Sequence, residues 1–186
     1  MPILWRGFYY LHIDALHLPA LTGWSKETIR EAYDQMMDYE WKNAPFSTGV
    51  LRWSEEGQKH FEDVRVLFHL DVRILVISAV CLLLLTLIRR RMRLSSHATR
   101  APSFYAGLGI LIFFGIITIL AATDFDRAFT VFHKIFFPGK DNWIFDWRTD
   151  EIILILPQIY FRNCAILAVS LMAVGVFFCF LSGKKK

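Results

Sequence analysis

Two histidines in this chain sit where proton chemistry is possible: His60, inside "SEEGQKHFEDVRVLF" (Ser54 to Phe68), and His133, inside "FDRAFTVFHKIFF" (Phe125 to Phe137). At about 100° per residue, Asp63 falls on the His60 side of one helix and Asp126 on the His133 side of another. Carboxylates so placed are expected to orient the imidazoles and fix their tautomers, as in acid/base pairs. His69 lies about 180° around the helix from His60 and so belongs to a different face. A single histidine at a membrane interface is more often a structural hydrogen-bonder than a catalyst, but two with matched carboxylates shift that balance. A metal site built from His60, His133 and a carboxylate is the weaker reading, since no compact HxxxH or HxH spacing supports it. Ser47, Ser54 and Thr130 offer hydroxyls, yet no GxSxG elbow is present to make one a nucleophile. Cys81, Cys164 and Cys179 fall inside apolar runs with no CxxC, so they read as small hydrophobes and no disulfide is expected.

The elements that position these residues belong to a membrane protein. Of 186 residues 55% are hydrophobic and 16% aromatic, and the mean hydropathy is +0.38, which is too apolar for one soluble core. Three runs hold no charge: Ile74 to Ile88, Phe104 to Ala122 and Cys164 to Leu181. The last two approach the ~20 residues that cross ~30 Å of hydrocarbon, and the first reaches that length by borrowing Leu67 to Val72. The expected fold is an all-α integral membrane protein, a small bundle of three transmembrane helices under a small helical extracellular cap.

Orientation follows from charge. "RRRMRLSSHATR" between the first two runs carries Arg89, Arg90, Arg91, Arg93 and Arg100, and the chain ends in Lys184, Lys185 and Lys186; both read as cytoplasmic. The stretch from Asp124 to Arg162, with six acids against five bases, is then outside. The expected division is 1–70 as an extracytoplasmic helical segment leading into the membrane, 71–89 as a span and 90–102 as the basic cytoplasmic loop. It continues with 103–123 as a span, 124–162 as an extracytoplasmic interfacial loop, 163–182 as a span and 183–186 as a cytoplasmic tail. The net charge of +4 is a topology signal, and with no groove-reading motif it implies no nucleic-acid partner.

Outside the membrane the pattern is helical. Ser25 caps "KETIREAYDQMMDYEW", whose Ile29, Ala32, Tyr33, Met36 and Met37 share one face, and "NAPFSTG" ends it. Ser54, with Glu55 and Glu56 in the first turn, starts a helix that runs on into the membrane. In "DFDRAFTVFHKIFF", Phe125, Phe129, Phe132 and Phe136 make one stripe, and Asp126, Thr130, His133 and Phe137 a second about 100° away. Such a helix suits the interface, with phenylalanines toward lipid or protein. The first twenty-one residues, broken by Arg6, His12, Asp14 and His17, neither span nor form a secretory core, and read as interfacial or extracellular. Some seventy residues outside with no anchor before them lead to the expectation that a further transmembrane helix precedes Met1.

Three ordered stretches, "SEEGQKHFEDVRVLF", "FDRAFTVFHKIFF" and "NWIFDWRTDEIILILPQIYF" (Asn142 to Phe161), resemble the signatures of the bacterial integral-membrane family that contains the lipoprotein intramolecular transacylase. "TGWSKETIREAYDQMMDY" (Thr22 to Tyr39) is similar to that family's extracellular region, so the resemblance covers most of the chain. Departures are Arg65 where lysine is usual, Trp147 where proline is frequent, and the absence of the family's N-terminal helix. The charge survives at Arg65, but a planar fork is not a point charge.

The resemblance implies an acyltransferase that moves the sn-2 acyl chain of a diacylglyceryl-cysteine to that cysteine's own α-amine, giving the N-acyl lyso form of a bacterial lipoprotein. It implies His60 and His133 as the base and acid, in either order. Asp63 and Asp126 would orient them, Arg65 would hold oxyanion or phosphate-edge charge, and Asn142, Trp143 and Asp146 would shape the rim. No cofactor or metal is implied. The expected partners are diacylglyceryl-modified lipoproteins and membrane lipid; a monomer is expected, placed in the bacterial cytoplasmic membrane with its site facing outside. A metal-dependent intramembrane hydrolase and a non-catalytic membrane partner are the alternatives. The second is disfavoured because the spans hold nothing more polar than Ser78, Thr86, Thr118 and Ser170.

Overall fold

Two serines start the two long helices of the N-terminal half. The Ser25 hydroxyl accepts the Thr28 N–H at 3.1 Å and opens α3 (Lys26–Lys42); Asn43, at φ +55°, closes it in the left-handed region that asparagine tolerates. Ser54 accepts the Gly57 N–H at 2.9 Å and opens α4 (Glu55–Arg91). In the computed structural model, which describes residues 2–92 and 102–182, every regular element among the described residues is helical. Before α3 come a 3₁₀ turn (Pro2–Leu4), α1 (Arg6–Ala15) and α2 (Leu18–Thr22); after α4 come α5 (Pro102–Thr123), α6 (Phe125–Phe136), α7 (Ile152–Ile155) and α8 (Gln158–Ser182). Arg93 and Arg100 of the basic loop, and Lys184 to Lys186, lie outside the described residues.

At 37 residues α4 is about 55 Å long, nearly twice the hydrocarbon thickness. Its two halves behave differently. The first packs Phe61 and Phe68 into protein, while from Asp71 to Met92 no side chain is buried. α4, Tyr105–Thr123 of α5 and Gln158–Phe178 of α8 are the described helices long and apolar enough to cross a membrane. α5 and α8 pack along each other, and α6 turns off the end of α5 at Asp124, whose carboxylate caps the Arg127 N–H at 2.9 Å.

The core lies in the cap. Ile29, Ala32, Tyr33, Met36 and Met37, the face expected of α3, are all buried there with Tyr9 and Ile13 of α1, Ile152 and Ile155 of α7, and Tyr160 of α8. The Tyr9 ring stacks on Tyr33 at 3.7 Å and meets Tyr160 edge-on at 5.2 Å. Each hydroxyl finds an acceptor: Tyr9 donates to the Ile155 carbonyl at 2.8 Å and Tyr33 to the Ile3 carbonyl at 2.6 Å. His12 takes the Asn163 amide on Nε2 at 3.0 Å and bonds the Phe8 carbonyl through Nδ1 at 2.8 Å. Residues 2–21 are thus tied into the cap, on the top of α8. Pro157 turns the chain from α7 into α8, its carbonyl accepting the Tyr160 N–H at 2.8 Å.

Candidate active site

The site is built where residues 137–151, returning from α6, lie across the first turns of α4. One anchor is Asp150, 4% exposed, whose carboxylate accepts the Ser54 N–H and the Ser54 hydroxyl, each at 2.8 Å, and the Thr149 hydroxyl at 2.9 Å. An anion over the start of α4 also suits the helix dipole. Glycine is needed at 57 because a Cβ there would collide with the Asp150 carboxylate. Beside it the Glu151 N–H donates to the Arg52 carbonyl at 3.0 Å, and Arg52 Nε to Glu151 at 2.8 Å. The second anchor is Asp63, which accepts Lys140 Nζ at 2.5 Å and Asn142 Nδ2 at 3.1 Å. Burial works to raise the Asp63 carboxyl, and the hydrogen bonds and charge of Lys140, with Asn142, outweigh it and hold it below the usual carboxylate range.

Between these anchors the two histidines meet. The His60 and His133 ring centroids are 5.7 Å apart, and the residues are 5% and 6% exposed. Phe137 and Phe145 close on His60 edge-first at 5.2 and 5.4 Å; Trp143 stacks on His133 at 4.7 Å, with Phe129 at 4.1 Å behind it. Burial in this aromatic box lowers His60 to about 4, helped by His133 alongside it. His133 is also lowered by burial, partly offset by its bond to the Phe129 carbonyl. Both rings are therefore neutral at neutral pH. His133 Nδ1 lies 2.8 Å from that carbonyl, which can only accept, so Nδ1 carries the proton and Nε2 the lone pair. The buried His60 Nδ1 has no partner among the described residues.

Several expected contacts are not made. Asp63 is spent on Lys140 and Asn142 rather than on the His60 ring. Asp126 is exposed and accepts from Gln158, leaving the Phe129 carbonyl to orient His133. The reason is desolvation: a carboxylate brought into an aromatic box loses its water, whereas the carbonyl one turn back is already there. Arg65 turns away, donating to Asn43 and lying over the Tyr39 ring at 5.0 Å. Asp146 is exposed and shapes a turn, accepting the Arg148 N–H at 2.9 Å. Of the expected rim residues, Trp143 stacks on His133, while Asn142 bonds Asp63 and holds the loop rather than the pair. His69, as its helical position implies, is elsewhere, with Nε2 3.0 Å from the Glu40 carbonyl and its ring against Trp41. Lys140, Phe145 and Asp150 complete the site without having been singled out, and Phe137, read only as sharing the His133 stripe, closes on His60. Only their place within the two motif stretches and the loop joining them signalled it. Among the described residues no group of three His, Cys, Asp or Glu has metal-holding geometry.

The family model for the lipoprotein intramolecular transacylase Lit matches residues 1–161. Solved structures of the membrane-integral Lit from Bacillus cereus share the fold: one is 25% identical with a TM-score of 0.78, covering 96% of this chain and 81% of that one. Two variants of the same protein, with one histidine replaced by alanine or by arginine, are each 24% identical with TM-scores of 0.75 and 0.74. Each covers 98% of this chain, and 81% and 80% of its own. No curated protein matches. The match of motifs, fold and helical cap over most of its length shows that the chain belongs to the lipoprotein intramolecular transacylase family.

Proposed function

We propose that His60 and His133 together catalyse transfer of the sn-2 acyl chain of a diacylglyceryl-cysteine to the α-amine of the same cysteine. The observation that carries this reading is the pair itself: two buried, neutral imidazoles in contact, one with its tautomer set. His133 Nε2 accepts a proton from the amine as the amine nitrogen attacks the ester carbonyl. A His60 N–H donates to the tetrahedral oxyanion. Collapse breaks the bond between carbonyl carbon and glycerol oxygen, and the proton held on His133 passes to that oxygen. An amide has formed, an ester has gone, and the product is the N-acyl lyso lipoprotein. Amine and ester belong to one molecule, so proximity supplies much of the rate and no cofactor takes part. Asp63, Asn142 and Trp143 act by position, holding the loop and its indole against His133.

The partners are diacylglyceryl-modified bacterial lipoproteins and membrane lipid, met by a monomer in the cytoplasmic membrane with the site outside. Arg89, Arg90 and Arg91 at the far end of α4 support that orientation. Support for access from lipid comes from α6, whose Phe132, Ile135 and Phe136 are exposed beside the buried His133. The test is conversion of a diacylglyceryl-cysteinyl lipopeptide by the membrane-inserted protein without added nucleotide, metal or acyl donor. N-acyl lyso product is expected; release of free fatty acid instead, abolished by chelators, would favour the metal-dependent hydrolase.

A further inference from the structure

The substrate has a third part besides its amine and its lipid. From one α-carbon branch the amine, the sulfur bearing diacylglycerol, and the polypeptide of the lipoprotein. With the amine at His133 and the lipid reached past the apolar face of α6, the polypeptide must leave by the remaining side. That side is polar. A groove of about 420 Å³ lies between α4 and the strap of residues 137–151, with Glu56, Lys59, Glu62, Asp63, Lys140 and Asn142 in its wall. A cavity of about 340 Å³ adjoins it, sharing Glu56, Asp141 and Asn142 and reaching Gly57 and Phe145. Glu56, Gly57, His60 and Asp63 occupy one helical face, and Phe145 rests on the His60 ring, so this lining is the outer side of the wall that buries His60.

The lining has a sign. Glu56, Glu62, Asp63, Asp141 and Asp150 face Lys59 and Lys140, five carboxylates against two ammoniums. Both lysines are already matched, Lys59 with Glu55 and Glu56 at 3.0 and 2.9 Å, and Lys140 with Asp63. Glu62 and Asp141 have no ion-pair partner among the described residues.

We propose that this groove seats the first residues after the lipid-bearing cysteine, and that its acidic lining selects basic over acidic residues there. The proposal rests on the acyl-transfer reading above. Extended chain advances about 3.3–3.6 Å per residue, so the second and third residues of the lipoprotein are the ones that lie in it.

The test uses three lipopeptides identical in lipid and cysteine, followed by two lysines, two serines or two glutamates. The membrane-inserted protein should give a KM about three- to tenfold higher for the glutamate peptide than for the lysine peptide at low salt. The ratio should shrink toward one in 1 M salt, where the Debye length is about 3 Å. The Glu62→Lys/Asp141→Lys double variant should bring the low-salt ratio to one or below, while Glu31→Lys, on the exposed side of α3, leaves it as in the unaltered protein. Because both peptides are read on the same preparation, partial misfolding of a variant cancels from the ratio. Equal KM values for lysine and glutamate peptides overturn the proposal, as does a ratio that the double variant leaves unchanged or that Glu31→Lys alters equally. If all three peptides are converted with equal KM, the groove assignment alone falls; if no peptide is converted, the acyl-transfer reading falls with it.

Discussion

His60, ringed by Phe137, Phe145 and His133, is held neutral by burial, and that has a consequence for pH. Its ordinary value of 6.5 drops to about 4 in the folded protein, so between those values the unfolded chain binds more protons than the folded one. Its contribution to stability is present above 6.5 and is lost as pH falls toward 4. The matching loss of kcat on acidification should lie below pH 6.5, read from initial rates of lipopeptide conversion. Glu40 runs the other way. It is 0% exposed, neither carboxyl oxygen has a partner among the described residues, and burial raises it from 4.5 to about 8, with the charge of Arg65 opposing. Its folded form binds more protons than the unfolded between 4.5 and 8, so stability should decline as pH rises through that window. Glu40→Gln should abolish the decline in unfolding midpoint, and an unchanged slope would contradict the account. At Trp143, removal of the indole should free the His133 ring: Trp143→Ala should lower kcat about tenfold or more, since misplacement by an ångström costs up to about 10². Trp143→Phe should keep most of it.

α4 and the strap of residues 137–151 form one unit, joined where Asp150 holds Ser54, the cap of the helix that carries His60. Asp150→Ala leaves the Ser54 N–H and hydroxyl without their buried acceptor, which should cost about 1–3 kcal/mol. Gly57→Ala pushes a methyl into the same carboxylate. Both should lower the midpoint of thermal unfolding and also the conversion rate; a variant losing stability with full activity would show that the strap does not position the pair. Much of this level was legible in the sequence. Caps act within three residues, so Ser25 and Ser54 announced α3 and α4, and helical periodicity put His133 and Phe137 on one stripe, of which the structure buries those two and exposes Asp126. Pairings across the chain were not legible. Nothing local to Asp63 says that Lys140, rather than the histidine one turn away, takes its charge, and Asp150 reads as one more acid beside Glu151. The cluster of Tyr9, Tyr33 and Tyr160 likewise joins three distant segments, and periodicity within its own helix told only that Tyr33 lies on the apolar face.

For the whole molecule, the cap stands on one side of the apolar helices and the arginines of α4 on the other, which makes the topology testable. A membrane-impermeant maleimide applied to intact cells should label Lys140→Cys and spare Arg91→Cys; the reverse pattern would invert the proposed orientation. The central claim is that two buried histidines, brought together from α4 and α6, move an acyl chain within one lipoprotein. Such a transfer leaves the mass unchanged, so the direct measurement is fragmentation that separates N-acyl from O-acyl lipopeptide after incubation with the membrane-inserted protein. His60→Ala and His133→Ala should each lose about 10²–10⁴-fold of the N-acyl product, as general acid/base groups do, while His69→Ala, bonded to the Glu40 carbonyl away from the pair, stays near the unaltered rate. Full N-acyl product from either His60→Ala or His133→Ala, or its loss in His69→Ala alone, would contradict the account.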